Sequence, residues 1–409
     1  MSNRGGKKSR KQKLLLVLLG IGCGLLLTEV FLRVAGYSAP LFYGPDYERG
    51  IALRPNIAGT YQREGRNNVS INSAGLRDRE HPLAKPPGTI RIALLGDSYC
   101  EALQVPMAQT FWWLLQQKLE GCEPYAGKQI EIINFGASGY GTAQELITLR
   151  QRVWQYSPDI VMLLVTTNND ISDNVRLLKK TDQIPYFVYQ NNQLVEDDSF
   201  RNSAYFKWRK FSAVGTWFRD HLRLVQLGYE AQLLIKTKLD ERRARQQLAP
   251  AAGPARAPAD KPSRPDVSVE NMIYLEPHEA VWNDAWTITE ALIKQIDLEV
   301  KDKGAKFLLV VGSNPIQVHP DASVRQRFRN YLDVDTLFYP NQRLAQLAGR
   351  EQIDFLDLAA PLEKSADETK VFYHGFGKEI GNGHWNADGH RLAAELIAQK
   401  MCSQPSPSR

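Results

Sequence analysis

Four residues of this sequence, Ser98, Gly139, Asn169 and His384, have the types that a serine-based acyl transfer requires. A serine hydroxyl is a poor nucleophile near neutral pH and needs an imidazole to accept its proton. The oxyanion that then forms needs positioned donors, which a glycine N–H and a side-chain amide can supply. Each residue alone is as readily explained as a turn, a cap or a core residue. The four together, in this order along the chain, indicate a nucleophilic serine site.

The hydrophobic pattern predicts the elements that must position these residues. Apolar runs predict strands at 90–95, 130–135, 159–165, 306–311 and 353–358, with helices predicted at 110–119, 144–155, 280–301 and 389–401. Continuous apolar strands that alternate with helices are typical of a parallel sheet covered on both faces. Ser98, Gly139 and Asn169 follow strand ends, at the edge where open α/β sheets bind their ligands. His384 comes just before the last helix.

In four short blocks the sequence resembles the SGNH/GDSL hydrolase superfamily. The blocks are Gly96-Asp97-Ser98, the run from 134 to 139, Asn169-Asp170 and His384. The resemblance extends over 91–401 and leaves out an insertion. It implies an α/β fold, a flavodoxin-like three-layer α/β/α sandwich around a parallel sheet. It also implies a Ser98 nucleophile, a His384 base, and an oxyanion hole formed by the Ser98 and Gly139 N–H groups with the Asn169 side chain.

The His block departs from the pattern of that family. The family has an acid two or three residues before its histidine, where this chain has Gly381 and Asn382. Asn382 can orient an imidazole but cannot stabilise an imidazolium by charge, and the comparable Asp→Asn change in a triad protease costs about 10⁴-fold. The Asn block also departs, because Thr167 stands where the family has glycine. His374 and His390 are lesser alternatives for the base.

Three explanations of the missing acid stay open. His384 and Ser98 could act as a dyad held by a backbone carbonyl, another carboxylate could replace the acid, or the domain could be inactive. The carboxylates considered are Asp357, Glu379 and Asp388, although Asp388 directly precedes the last helix and is better explained as its N-cap. We favour a dyad or a substitute acid over inactivity, because all four blocks are present.

The N-terminal part of the sequence predicts a membrane anchor. Residues 14–34 are apolar over about the length that spans a bilayer, and Glu29, their acidic residue, lies near the exit end. Several Lys and Arg residues and no acidic residue precede this segment. We therefore expect a cytoplasmic tail at 1–13, a single transmembrane anchor at 14–36 and an exported remainder. A cleaved signal peptide is the alternative, and the length of the segment favours the anchor.

Behind the anchor we predict a loop-rich stalk at 37–87 and a hydrolase-like domain at 88–402. An insertion at 180–270 interrupts the alternation of strands and helices, and it could form a lid or a partner-binding arm. Its Pro- and Ala-rich run at 248–266 is predicted to be disordered. A second long connection, at 315–340, is predicted to be irregular.

Charge and cysteine content limit the classes of partner. The formal net charge is +6, but the basic tail accounts for it, so we expect no nucleic-acid partner. Cys100, Cys122 and Cys402 lie in the part predicted to be exported, where any two of them could pair. No cluster of His and Cys has the spacing of a metal site, and we expect neither a metal ion nor a cofactor.

These expectations combine into a membrane-anchored, extracytoplasmic serine esterase or acyltransferase. The resemblance favours O-acetyl groups of cell-surface or extracellular polysaccharide as its substrate. One alternative is a lipolytic esterase that acts at the membrane surface. Another is an inactive domain of this type that binds glycan or a biosynthetic partner. The acyl group, the acceptor and the oligomeric state do not follow from the sequence.

Overall fold

A computed structural model describes residues 9–247 and 268–404 of the chain. Within these residues the chain forms two compact units, each described here by itself. The smaller unit contains the N-terminal helix and most of the helical part of the insertion. The larger unit contains the sheet and all four sequence blocks. The predicted disordered run at 248–266 lies outside the described residues.

The helices and strands alternate through most of the larger unit. The strands are β1 (Tyr43–Asp46), β2 (Gly50–Leu53), β3 (Ala58–Tyr61), β4 (Asn67–Ser70), β5 (Thr89–Gly96), β6 (Gln129–Asn134), β7 (Ile160–Val165), β8 (Tyr186–Gln190), β9 (Gln193–Asp197), β10 (Lys306–Val311) and β11 (Asp354–Asp357). The helices are α1 (Arg10–Val34), α2 (Ser98–Glu101), α3 (Phe111–Glu120), α4 (Thr142–Gln151), α5 (Asp170–Asp173), α6 (Arg176–Lys179), α7 (Ala204–Lys207), α8 (Arg209–His221), α9 (Arg223–Gln247), α10 (Ala280–Asp302), α11 (Ala322–Leu332), α12 (Tyr339–Glu351), α13 (Ala359–Thr369) and α14 (Ala387–Cys402).

The central sheet has five strands in the order β11-β10-β7-β5-β6, all parallel. These are the five predicted strands, and their order is that of flavodoxin-like folds. The strand order reverses at β5, which lies between β6 and β7. Such a reversal opens a crevice at the carboxyl ends of the strands, and Ser98 follows β5 at this point.

Two layers of helices cover the sheet, one on each face. Successive strand residues point to opposite faces, so Ala93 and Leu95 pack in one core and Ile92 and Leu94 in the other. The first core also takes side chains from α4, α10 and α12, and the second from α3, α13 and α14. Every residue of β5, β6 and β7 except the first of β6 is buried. The α/β/α sandwich that we predicted is confirmed.

The connection at 315–340 was the main error of prediction. It contains helix α11 and the start of helix α12 rather than an irregular chain. The sequence of α11 is mostly polar, and the helix is held through Arg325, which pairs with Asp367 and Glu363 of α13. The N-cap of α14 is also not Asp388. Asn386 caps this helix, because its side chain accepts hydrogen bonds from the N–H groups of residues 388 and 389.

Helix α1 has 25 residues, and by length and composition it could cross a membrane. A signal sequence near the N-terminus meets the same criteria. Within the smaller unit, Glu29 accepts hydrogen bonds from the N–H groups of Arg223 (3.0 Å) and Leu224 (2.9 Å), the first residues of α9. It also pairs with Arg33. The carboxylate therefore caps the N-terminus of α9, where negative charge is favourable. This gives the acidic residue of the apolar segment a structural role.

A disulfide joins Cys122, after α3, to Cys402 at the end of α14. It encloses 280 residues of sequence separation, and it links two helices of the same layer. Cys100 is free and buried, and Cys23 is free and exposed. The pairing that the sequence left open is therefore between Cys122 and Cys402.

Candidate active site

Ser98 lies at the first position of α2, immediately beyond the central strand β5. Asp97 caps this short helix, because its side chain accepts a hydrogen bond from the Tyr99 N–H at 2.9 Å. Gly96 makes the sharp exit from the strand possible. A Cβ there would collide with the Cys100 side chain and would lie 3.1 Å from the Leu164 carbonyl oxygen. The strand and the turn together place the Ser98 hydroxyl at the edge of the sheet.

The structure brings His384 to Ser98 from the other end of the domain. The Nε2 atom of His384 lies 2.7 Å from the Ser98 Oγ. His384 lies in the loop before α14, where an antiparallel bridge between His374 and Trp385 holds the chain. The Tyr99 ring packs beside the imidazole, with ring centroids 5.1 Å apart. A serine and an imidazole at this distance have the geometry of an activated nucleophile.

The other ring nitrogen of His384 contacts Glu64, a residue that the sequence analysis did not consider. The Glu64 Oε2 atom is the hydrogen-bond partner of Nδ1, and Oε1 accepts a hydrogen bond from the His384 backbone N–H at 2.6 Å. With the Nδ1 proton shared with a carboxylate, Nε2 is the acceptor that faces Ser98. Ser98, His384 and Glu64 thus form a hydrogen-bonded chain of hydroxyl, imidazole and carboxylate.

Glu64 comes from the segment predicted to be a stalk, between β3 and β4, and it is 320 residues from His384 in sequence. No local motif indicated its role. One signal was present beside His384. Gly383 has φ +79°, and a Cβ at this position would collide with Glu64 Oε1. The glycine therefore lets the carboxylate approach the backbone and the ring of the next residue.

Electrostatics in this chain favour an ion pair. Burial lowers the pKa of His384, but the hydrogen bond and the charge of Glu64 outweigh burial and raise it above its ordinary value of 6.5. Burial raises the pKa of Glu64, but the hydrogen bond from His384 outweighs this effect and lowers it. Both side chains are mostly buried, with exposures of 26% and 21%. The carboxylate is therefore placed to stabilise a protonated His384.

The residues that we had considered as acids lie elsewhere. Asp357 accepts hydrogen bonds from the Asn341 side chain (2.7 Å) and the Ala359 N–H (3.0 Å) at the start of α13. Glu379 and Asn382 are exposed in the loop before His384, and Asp388 pairs on the surface with Arg391. His384 Nδ1 instead contacts Glu64.

The two alternative bases, His374 and His390, are buried. His374 Nδ1 donates to the Gly383 carbonyl oxygen at 2.8 Å, and its Nε2 accepts from the Ser313 hydroxyl at 2.9 Å. Burial lowers the pKa of His374 to about 4 and that of His390 to about 3. Both rings are therefore neutral parts of the core that shape the loop around His384.

The predicted oxyanion donors follow the neighbouring strands. Asn169 begins α5 after β7, and its amide donates one hydrogen bond to Asp97 Oδ2 at 2.9 Å. This bond fixes the orientation of the amide and leaves its second N–H available. Gly139 lies in the turn after β6 with φ +79°. That turn is tied to α2, because the Ser138 N–H donates to the Glu101 carboxylate at 3.1 Å.

Two buried carboxyl groups lie behind Asn169. The Thr166 N–H donates to Asp170 Oδ2 at 2.6 Å, whereas Asp170 Oδ1 and both oxygens of Glu145 have no hydrogen-bond partner among residues 9–247 and 268–404. Burial raises the pKa of both groups well above the ordinary values, and the negative charge of Asp97 adds to this effect. These carboxyl groups therefore hold their protons at neutral pH.

A cavity of about 510 Å³ lies against His384. Asn169 lines it together with further asparagine side chains and the rings of Tyr99, Tyr274 and Phe328. This volume is within the range of small-molecule binding sites. In the described part of the chain, no group of His, Cys, Asp and Glu side chains is arranged to hold a metal ion.

No family model matches the chain, and no curated protein is similar to it in sequence. Among solved structures, it is similar to an acetylxylan esterase from Geobacillus stearothermophilus (12% identity, 78% of this chain and 97% of that chain, TM-score 0.36). It is also similar to a lipolytic protein of the G-D-S-L family from Desulfitobacterium hafniense (11%, 76% and 99%, 0.35). A third is an alpha/beta hydrolase from the metagenome of Lake Arreo, Spain (13%, 77% and 96%, 0.36). At these identities and TM-scores, the likenesses support no conclusion about activity.

Proposed function

We propose that this chain is a serine esterase or acyltransferase that works through a Ser98 acyl-enzyme. The observation that carries the proposal is the hydrogen-bonded chain from Ser98 Oγ through His384 to Glu64, with 2.7 Å between the hydroxyl and Nε2. Nucleophile, base and orienting carboxylate in this order are the parts of a catalytic triad, which is recognised by geometry and not by sequence position. Glu64 supplies the negative charge that the His block lacks.

In the first half of the reaction, the Ser98 Oγ attacks the ester carbonyl carbon while its proton moves to His384 Nε2. The imidazolium that forms is stabilised by Glu64, and the Nδ1 contact keeps the ring in the productive orientation. The carbonyl oxygen becomes an oxyanion, for which the free N–H of Asn169 and the backbone N–H groups of Ser98 and Gly139 are the proposed donors. His384 then protonates the leaving alcohol, and the acyl group remains on Ser98.

In the second half, His384 accepts a proton from the incoming nucleophile, which attacks the acyl-enzyme carbonyl. Water as the nucleophile gives hydrolysis, and a sugar hydroxyl gives transfer of the acyl group. Collapse of the second tetrahedral intermediate breaks the bond to Ser98 Oγ, and the proton returns to the serine from Nε2. The same residues therefore serve both outcomes, and access of the acceptor to the cavity decides between them.

We propose O-acetyl groups of a cell-surface or extracellular polysaccharide as the substrate. The cavity beside His384 is lined by amide side chains and aromatic rings, groups that suit a sugar. A lipolytic esterase is the alternative, and it would need a long apolar groove for its acyl chain. An inactive glycan-binding domain is the second alternative. Glu64 weakens it, because the carboxylate whose absence motivated it has a counterpart in the structure.

We propose that the protein is a single-pass membrane protein, anchored by residues 14–36, whose catalytic domain is extracytoplasmic. The basic residues before α1 favour a cytoplasmic N-terminus, and α1 is long and apolar enough for a bilayer. The disulfide between Cys122 and Cys402 supports the same orientation, because disulfides persist in oxidising compartments and are rare in the cytosol.

Labelling with a fluorophosphonate probe and hydrolysis of p-nitrophenyl acetate test the proposal, with the full chain in detergent micelles. We expect the native protein to be labelled and to turn over the ester. Ser98→Ala should abolish labelling and reduce kcat by at least about 10³-fold. Ser323→Ala, which changes an exposed serine on α11, is the matched control and should behave like the native protein. Labelling or turnover that persists in Ser98→Ala would overturn the assignment.

A further inference from the structure

The cavity beside His384 has an unusual lining for a site next to a proposed nucleophile. Besides Asn169, four asparagines contribute to its wall: Asn168, Asn271, Asn314 and Asn382. Each amide carries both donors and an acceptor. Tyr274 and Phe328 add aromatic surface, with ring centroids 5.8 Å apart and perpendicular planes. The wall therefore combines hydrogen-bonding groups with apolar faces, over a cavity of about 510 Å³.

Two of these amides have unused hydrogen-bonding capacity. The Oδ1 atoms of Asn168 and Asn314 are buried and lack a partner within the two described stretches of the chain. Asn314 is 2% exposed, and its Nδ2 donates to the Thr167 hydroxyl at 3.0 Å. Buried polar atoms are nearly always hydrogen-bonded in folded proteins. Unpaired acceptors at the wall of a cavity point to a ligand that brings its own donors.

The lining is also free of formal charge. Among the residues that the structure describes, no Lys, Arg, Asp or Glu side chain lines this cavity, and His384 is its titratable base. Burial raises the pKa of the Tyr274 hydroxyl, which stays neutral and can donate. A carboxylate or phosphate on the ligand would lose its hydration here without a counter-charge, which is costly. A long alkyl chain would leave the amides unpaired.

We propose that this cavity binds an uncharged sugar unit of the substrate, whose hydroxyl groups hydrogen-bond to Asn168 and Asn314. A hydroxyl group can donate and accept, so it satisfies either end of an amide. The aromatic faces of Tyr274 and Phe328 suit the C–H face of a pyranose ring. This inference rests on the proposed function and narrows it, because it selects neutral polysaccharides over polyuronates and over lipids.

Binding to the full-length Ser98→Ala protein in detergent micelles tests the inference by calorimetry. The probes are chemically acetylated cellotriose, which is neutral, and chemically acetylated trigalacturonate, which carries a carboxylate on each ring. We expect the neutral probe to bind at least about tenfold more tightly. Equal affinity, or tighter binding of the trigalacturonate, would overturn the inference.

Variants in the same Ser98→Ala background locate the binding. Asn314→Ala and Asn168→Ala should each weaken binding of the neutral probe by about tenfold. The matched control is Asn283→Ala, an exposed asparagine on α10, which should bind normally. Two asparagine variants are used so that a misfolded protein, detected by its thermal unfolding, does not decide the outcome. Unchanged affinity in the folded variants would refute the site, whereas loss of the proposed function would show separately, as ester turnover that survives Ser98→Ala.

Discussion

The sharpest prediction concerns Glu64→Gln, which removes the negative charge beside His384 but keeps the shape of the side chain. Breaking a buried ion pair by removing one partner costs about 3–5 kcal/mol. Because the two side chains are 26% and 21% exposed, solvent screening places the loss at the lower end, about 3 kcal/mol. At 1.36 kcal/mol for each tenfold change, kcat/KM should fall by about 10²- to 10³-fold.

A second effect adds to this loss. A glutamine amide can donate to His384 Nδ1, which would place the ring proton on Nε2, where it cannot accept the Ser98 proton. In a triad protease the wrong tautomer accompanies a fall of about 10⁴-fold, which sets the upper limit for Glu64→Gln. Glu64→Asp keeps the charge with a shorter reach, so we expect it to retain more activity than the glutamine variant.

The pH profile gives an independent readout. His384 must be neutral to act as the base, so the rate rises with pH through its pKa. Glu64 raises that pKa, and burial alone would lower it. In Glu64→Gln the acid limb of the kcat/KM profile should therefore move to lower pH, measured with p-nitrophenyl acetate.

Glu379→Gln is the matched control for this experiment. Glu379 lies five residues before His384 and is exposed, and it was one of the acids considered from the sequence. We expect native rates and an unchanged profile for this variant. A Glu64→Gln enzyme that keeps more than about a third of native kcat/KM, with an unmoved acid limb, would refute the triad.

Three further changes test other parts of the structure. Asn169→Ala should lower kcat by about 10²- to 10³-fold with a smaller effect on KM, because it removes an oxyanion donor; steady-state kinetics that match the native enzyme would exclude this role. Cys402→Ser should lower the free energy of unfolding by about 2–4 kcal/mol, measured in urea, and a reductant should then have no added effect. Because burial raises the pKa of Glu145 above 4.5, the folded state keeps a proton that the unfolded state releases, so native stability should fall as pH rises above this value. Glu145→Gln should remove that part of the pH dependence, and identical urea midpoints for both proteins from pH 5 to 8 would contradict it.

The sheet could be predicted from the sequence because its strands are buried on both faces and therefore read as continuous apolar runs. Strand β10 was predicted at its observed bounds, and β5, β6, β7 and β11 to within a residue or two. Helix α11 was missed for the converse reason. Its sequence is mostly polar, and it is stabilised by contacts of Arg325 with a helix more than thirty residues later, which no local pattern reveals.

The candidate site divides in the same way. Ser98 and Asn169 were identifiable because each directly follows a predicted strand, and His384 because it precedes a helix. Glu64 was not identifiable, because its place beside His384 results from a loop that folds across 320 residues of sequence. The pairing of Cys122 with Cys402 depends on the packing of α3 against α14, a tertiary fact.

The position of Glu64 ahead of the sheet has a consequence for any proteolytic release of the domain. All strands of the sheet begin after residue 88, so a cut between Glu64 and that point would leave both cores and Ser98 intact. The shed protein would still fold around its sheet, yet it would lack the carboxylate beside His384. A cut before Glu64 would release a fragment with all three residues. The site of cleavage would therefore decide whether the freed domain carries a complete triad or a serine–histidine pair alone.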